Sequence, residues 1–106
     1  MNQKEKIFQI IISVANEFNN GLTNRIPVEQ GRDAPLYGQE GILDSLGFVS
    51  FIVAVEQAIE ENTGVAITLA DEKAMSQRNS PFRTIGTLTD FVLTLLGNEQ
   101  EKNGHD

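Results

Sequence analysis

Apolar residues recur along the chain at the spacing of amphipathic helices, and the first such pattern lies near the N-terminus. It covers residues 7–18 and stops at the polar run 19–21. Positions three and four apart share one face of a helix, so the pattern predicts a helix with a wide apolar face. Its apolar positions are Ile7, Phe8, Ile11, Ile12, Val14, Ala15 and Phe18.

A second helix is predicted to begin at Asp44-Ser45, with Asp44 as its N-cap, and to continue through Glu61 before Asn62-Thr63-Gly64 stops it. Its apolar residues form two groups. One group has the spacing of a core-facing stripe and consists of Phe51, Val55, Ala58 and Ile59. The other surrounds the first turns and consists of Phe48, Val49, Ile52 and Val53. This second group is either additional core or a surface for a partner, and the sequence leaves both interpretations open.

The last predicted helix begins at Thr87 and ends at Gly97-Asn98. Asp90 follows Thr87 by three residues, which is a variant of the capping box. The residues from 99 onward include no apolar side chain. We therefore predict a helical domain over 1–97 and a disordered polar tail over 98–106. The predicted buried positions of this helix are Leu88, Phe91, Val92, Leu95 and Leu96.

The segment between the first two helices is irregular. Residues 23–43 contain two prolines and three glycines, which exclude long regular elements. Connections of about twenty residues are uncommon, and we expect this one to be a crossover loop packed on the core. The residues expected to pin it are Ile26, Val28, Leu36 and Tyr37. A short helix is expected at 71–75, and the alternation at 65–69 is too short to establish a sheet.

Composition and charge narrow the class of protein. A chain of 106 residues, of which 40% are hydrophobic, can enclose one core. Fifteen acidic and eight basic side chains give a net charge of −7, which disfavours nucleic acid and favours basic partners. The chain lacks cysteine, and no stretch matches a signal peptide or a membrane span. We expect a cytoplasmic monomer.

The sequence offers no catalytic or metal-binding constellation. Its only histidine, His105, lies in the polar tail, and no cysteine can act as a nucleophile. Ser45 lacks the flanking glycines of a nucleophile elbow. The acidic residues are scattered without metal-ligand spacing. We therefore expect a protein that is not an enzyme and holds no metal.

Ser45 nevertheless lies where a phosphate ester would be stabilised. It is at the first turn of the second predicted helix, where backbone N–H groups are unpaired and the helix dipole is positive. A phosphate esterified to Ser45 would be favoured there, and Asp44 can orient a modifying enzyme or its divalent ion. Ordinary helix capping explains the same two residues. The placement alone leaves both interpretations open.

The residues around Ser45 resemble the attachment motif of acyl and peptidyl carrier proteins. The Asp-Ser-Leu motif stands within Gly41-Ile42-Leu43-Asp44-Ser45-Leu46-Gly47. The likeness extends through the second helix and past 64–67 to Phe82-Arg83-Thr84-Ile85-Gly86-Thr87-Leu88-Thr89-Asp90-Phe91-Val92, so it covers most of the chain. It implies an all-α fold, a four-helix bundle with a long first loop and a short third helix.

In that family the serine receives 4'-phosphopantetheine from coenzyme A, and the thiol of this arm carries acyl groups as thioesters. The resemblance implies that Ser45 is modified and that Asp44 and Leu46 are recognised by a phosphopantetheinyl transferase. The other partners would be acyl-loading and acyl-processing enzymes, such as a synthase, ligase or acyltransferase. An aminoacyl or peptidyl carrier and an unmodified helical adaptor with the same fold are the alternatives.

The helix after Ser45 departs from the pattern of primary fatty-acid carriers. Its early positions are acidic in those proteins, whereas this chain has Gly47, Phe48 and Ser50. We therefore expect an apolar docking face, on which burial rather than ion pairing supplies affinity. Its predicted residues are Phe48, Val49, Ile52, Val53 and Glu56. The departure favours specialised lipid or secondary metabolism, such as polyketide assembly, over general fatty acid biosynthesis.

A carrier of this kind can also enclose its acyl chain within the bundle. The candidate lining of such a pocket is Phe51, Val55, Ile67 and Ile85. The same residues fit an ordinary hydrophobic core. The sequence leaves the length and identity of the cargo open.

Overall fold

Three α-helices and one 3-10 segment make up the regular structure of the computed structural model, which describes residues 2–21, 25–38, 42–69 and 81–104. Helix α1 spans Gln3–Asn19, α2 spans Ser45–Thr63 and α3 spans Ile85–Gly104. The 3-10 segment covers Val28–Asp33. Within the described ranges there is no β-strand, and the predicted all-α class is confirmed. The short helix predicted at 71–75 lies outside the described residues.

Capping residues set the start of α1 and both ends of α2. The Asn2 Oδ1 atom accepts the Glu5 N–H at 2.8 Å at the start of α1. Asp44 caps α2, and Gly64 ends α2 in the left-handed region at φ 75°, where glycine is favoured. The Gly64 N–H donates to the Glu60 carbonyl at 2.8 Å. The predicted start of α2 is confirmed, and the helix continues two residues past Glu61 to Thr63 before Gly64 ends it.

The predicted limits of the last helix are wrong at both ends. Helix α3 begins at Ile85, because Thr84 and Thr87 form a reciprocal capping pair in which each Oγ1 accepts the other's N–H at 3.1 Å. Thr87 is therefore the third residue of the helix and not its cap. The helix also continues past Gly97 to Gly104, since one glycine costs only about 1 kcal/mol of helix stability. The division into 1–97 and 98–106 stays a prediction.

The core lies where α1 packs against both α2 and α3. Each of the three helices contributes one buried apolar stripe, and burial of each such side chain stabilises the fold by roughly 1.5–3 kcal/mol. The radius of gyration is 13.5 Å, close to the value of about 13 Å for a compact domain of this length. The buried helical residues include Ile7, Ile11, Val14, Phe51, Val55, Ile59, Leu88, Val92 and Leu96.

The connection between α1 and α2 is packed on the core, as predicted. Ile26, Ala34 and Leu36 are fully buried in it, and Val28 and Tyr37 are partly buried. Its start is held by the buried Asn19 side chain, which bonds both the N–H and the carbonyl of Ile26. The connection is therefore a fixed part of the fold over its described residues.

The second half of the connection is fastened to the start of α3. The Leu36 N–H donates to the Arg83 carbonyl at 2.8 Å, and the Ile85 N–H donates to the Ala34 carbonyl at 3.0 Å. Arg32 reaches further along α3 and donates to the Asp90 carboxylate at 2.8 Å. These bonds position the chain that leads into α2.

Two glycines allow the 3-10 segment to lie close to α3. Gly31 joins the two halves of the 3-10 segment at φ 62° and ψ −128°, a backbone conformation that residues other than glycine rarely adopt. Gly86 lies in the first turn of α3 against Arg32. A Cβ atom on Gly86 would come within 2.9 Å of both the Cβ atom and the carbonyl oxygen of Arg32. The 3-10 segment can therefore rest directly on α3.

Candidate functional site

Asp44, Ser45 and Leu46 lie together at the N-terminal end of α2. The Asp44 Oδ1 atom accepts the Gly47 N–H at 2.7 Å, and the Asp44 carbonyl accepts the Phe48 N–H at 2.8 Å. Ser45 is the first residue of the helix, and its side chain lies outside the described part of the structure. The backbone nevertheless gives Ser45 the helix-terminal position that suits a phosphate ester.

Gly47 has a local reason to be glycine at this corner. A Cβ atom on Gly47 would stand 3.1 Å from the Asp44 Oδ1 atom and 3.6 Å from the Leu43 side chain. The first of these distances is tight for a carbon atom beside a carboxylate oxygen. The missing side chain lets Asp44 close the capping bond, which keeps the residues on either side of Ser45 in place.

Three large apolar residues of α2 are exposed, and they begin beside Ser45. Leu46 is 83% exposed, Val49 is 46% exposed and Val53 is 40% exposed. Their spacing of three and four residues puts them along one side of the helix. We call these three residues the apolar stripe. It agrees with the partner-surface interpretation for the residues that belong to it.

The remaining apolar residues of the predicted docking face are not on the surface. Phe48 is 2% exposed and Ile52 is 1% exposed, so their assignment to a docking face is corrected to the core. The cause lies in the connection, since Tyr37 covers Phe48 with a stacked ring. Phe48 and Ile52 are therefore core, whereas Val49 and Val53 are exposed, and a partner surface at Val49 and Val53 stays a prediction.

Glu56 has a structural contact that the sequence did not indicate. It is partly buried, and its carboxylate accepts the N–H of Leu69, which is itself fully buried. A charged acceptor strengthens such a bond, so Glu56 fastens the chain after α2 to the helix. Its role at a partner interface stays a prediction.

The predicted lining of an acyl pocket is part of the core. Phe51, Val55 and Ile85 are fully buried, whereas Ile67 is partly buried. Phe51 also packs edge-on against Phe18 with ring centroids 5.3 Å apart. These contacts are those of an ordinary core, and an acyl pocket at these residues stays a prediction.

A row of four aromatic rings extends from the start of α2 to α3. Tyr37 stacks on Phe48 with ring centroids 4.2 Å apart and planes 14° from parallel. Phe48 packs edge-on against Phe82 at 5.0 Å, and Phe82 against Phe91 at 5.9 Å. Sequence reasoning assigned Tyr37 only to the packing of the loop. Helical periodicity could not place it at this site, because Tyr37 lies in irregular chain.

Every charged residue of α2 is acidic. The helix carries Glu56, Glu60 and Glu61 in its second half, and Asp44 precedes it. Glu60 and Glu61 are exposed, so they add negative potential to the surface beyond the apolar stripe. A partner that contacts the whole helix would meet apolar side chains near Ser45 and carboxylates further along.

The residues that the structure describes contain neither a candidate metal site nor a candidate membrane span. Within the described ranges, no three His, Asp or Glu residues are grouped so that they could hold a metal ion. None of the helices found there is both long and apolar enough to cross a bilayer.

Comparison of the chain with family models, curated proteins and solved structures finds no match. The functional inference therefore depends on the residues around Ser45 and on the geometry of α2.

Proposed function

We propose that this chain is an acyl carrier protein, in which Ser45 bears a 4'-phosphopantetheine arm that holds acyl intermediates as thioesters. The observation that carries the proposal is the position of Asp44-Ser45-Leu46. Asp44 caps α2, Ser45 is its first residue, and Leu46 is exposed beside it. A transferase that recognises this motif would meet it at a helix start where Asp44 and Leu46 are exposed.

The loading reaction joins the Ser45 hydroxyl to the pantetheine-bearing phosphorus of coenzyme A. A new Oγ–P bond forms, and the P–O bond to adenosine 3',5'-bisphosphate breaks, while the hydroxyl proton passes to a base on the transferase. This chain contributes the first-turn N–H groups of α2 and the positive end of the helix dipole, which favour the resulting phosphodiester. The thioester chemistry belongs to the arm and to the partner enzymes.

The apolar stripe supports a docking role beside the arm. Leu46, Val49 and Val53 are exposed along one side of α2, and a partner can bury them while it handles the arm on Ser45. This surface is smaller than the face predicted from the sequence, because it lacks Phe48 and Ile52. The proposal includes the remaining family features, namely a four-helix bundle with a short helix near 71–75 and partner enzymes of specialised lipid or secondary metabolism.

Intact mass measured after loading tests the proposal. The protein is incubated with coenzyme A, Mg²⁺ and a promiscuous phosphopantetheinyl transferase, and we expect a gain of one phosphopantetheine. Ser45→Ala should abolish the gain and keep the helical circular dichroism. Ser50→Ala is the matched control, because Ser50 is an exposed serine of the same helix, and it should load like the wild type. A wild type that gains no arm, or a Ser45→Ala protein that still gains one, would refute the assignment.

An unmodified helical adaptor is the second candidate, and the exposed apolar stripe favours it independently of Ser45. An adaptor would bind its partner equally well as the Ser45→Ala protein and would carry no arm when purified from its own source. Mass spectrometry of that native protein separates the two functions. It also identifies the cargo, including an aminoacyl or peptidyl group.

A further inference from the structure

The peptide group that precedes Tyr37 is held beside the start of α2 by backbone hydrogen bonds. The Tyr37 N–H donates to the Phe82 carbonyl at 3.2 Å. The carbonyl of the preceding residue, Leu36, accepts the N–H groups of Ile42 and Leu43 at 3.1 and 3.0 Å. These bonds bring the chain back to Leu36 just before it enters α2. The backbone of Tyr37 is therefore fixed near the helix start.

The ring of Tyr37 is placed there by a second, independent contact. It stacks on Phe48, which follows Ser45 by three residues and so is its neighbour on the helix surface. Side chains of a helix lean toward its N-terminus, so the Phe48 ring covers the turn that contains Ser45. The ring stacked on it adjoins the same turn.

Tyr37 is the accessible end of the aromatic row. Phe48 and Phe82 are buried, whereas Tyr37 is only partly buried. Phe91, the other partly buried ring, is separated from Phe48 by the ring of Phe82. Of the two partly buried rings in the row, Tyr37 is therefore the one that stacks directly on Phe48, beside the turn of α2 that contains Ser45.

We propose that Tyr37 is a positioning residue for the phosphopantetheine arm, an inference that rests on the proposed function. The arm carries a dimethyl-substituted carbon close to its phosphate and amide groups beyond it. An aromatic face offers the methyl groups an apolar contact, and a phenol O–H can bond an amide. The wall formed by Tyr37 and Phe48 limits the directions in which the arm extends from Ser45. A restrained arm loses less conformational freedom when a partner binds it.

The test begins with protein loaded as above and checked by intact mass. NMR of the wild-type holo protein should show nuclear Overhauser contacts between the Tyr37 ring protons and the arm methyl groups. The methyl resonances should also be displaced by the ring current of Tyr37. In Tyr37→Phe the displacement should persist, because the ring remains. In Tyr37→Leu and Tyr37→Ala it should disappear, so that the methyl resonances move to the values of free pantetheine.

Phe8→Ala is the matched control. Phe8 is another partly buried ring, and it lies at the far end of α2, since neighbouring Lys6 bonds the Asn62 carbonyl there. Loss of the Phe8 ring should leave the arm resonances unchanged. Arm signals that are identical in the wild type and Tyr37→Leu, or a wild type without contacts to the ring, would overturn the positioning role while the carrier function stands. A protein that is not loaded at Ser45 would overturn both.

Discussion

The side chain of Asn19 holds the start of the connection that leads to Ser45, and its loss gives a sharp test. Asn19 ends α1 and is 4% exposed. Its Nδ2 atom donates to the Ile26 carbonyl at 3.0 Å, and its Oδ1 atom accepts the Ile26 N–H at 2.7 Å. The amide therefore satisfies the N–H of a residue that is itself buried, and it shares the carbonyl of that residue with the Val28 N–H, which donates at 2.8 Å. Asn19→Ala removes both bonds at once.

The expected cost comes mainly from the Ile26 N–H, because the Ile26 carbonyl keeps the Val28 N–H as a donor. A buried donor or acceptor left without a partner costs about 1–3 kcal/mol. Alanine has a higher helix propensity than asparagine, which offsets at most about 0.7 kcal/mol of the lost stability at the end of α1. One unpaired N–H and the loss of one of the two bonds to the carbonyl, which is worth about 0.5–1.5 kcal/mol, should together lower the free energy of unfolding of Asn19→Ala by about 1–3 kcal/mol. This is a large share of the roughly 5–15 kcal/mol that stabilises a typical small domain.

Urea unfolding followed by far-UV circular dichroism measures this change. Asn62→Ala is the control, because the Asn62 Nδ2 atom donates to the Ala58 carbonyl at 2.8 Å on an exposed part of α2. Water can replace that bond, so the loss should stay within about 0.5 kcal/mol. The reasoning would be refuted if Asn19→Ala lost no more stability than Asn62→Ala.

Three further changes test contacts around the same connection and helix. Gly86→Ala should lower the thermal midpoint, because its Cβ would lie 2.9 Å from the Arg32 backbone and such overpacking costs about 1–3 kcal/mol. Gly97→Ala is the control and should raise the midpoint, because the space around Gly97 is open and alanine favours a helix. Asp44→Ala should cost about 1 kcal/mol in urea unfolding through the lost cap of α2, and it should slow loading measured by intact mass. Glu56→Ala should speed hydrogen exchange of the Leu69 N–H, and Glu56→Gln, which keeps an acceptor, should change it less.

The sequence predicted the limits of α2 well because local signals set them, whereas the apolar pattern of α1 began at Ile7 and the helix itself begins at Gln3. Asp44 is a strong N-cap residue, and Gly64 is favoured in the left-handed conformation that ends a helix. The start of α3 was ambiguous, because Thr84 with Thr87 and Thr87 with Asp90 have the same spacing. The structure resolves the ambiguity through the bond from the Ile85 N–H to the Ala34 carbonyl, a contact between distant parts of the chain.

The sequence predicted the motif of the candidate site, but it did not predict which residues pack around that motif. Asp44-Ser45-Leu46 is a contiguous run, so the sequence alone places it at the helix start. The burial of Phe48 depends on Tyr37, which reaches α2 only because the connection folds back on itself. Periodicity identifies the apolar residues of a helix, but it cannot tell which of them an irregular segment will cover.

The size of the apolar stripe limits what it can contribute to a partner's affinity. Full burial of a leucine or valine side chain gives roughly 1.5–3 kcal/mol, and the exposed parts of Leu46, Val49 and Val53 amount to less than two whole residues. The stripe alone therefore offers about 3–5 kcal/mol, which association costs reduce further. Such a gain corresponds to a dissociation constant near 1 mM at best. A partner of a carrier must also leave again, so we expect recognition to combine this weak contact with the arm on Ser45, and binding to weaken sharply when the arm is absent.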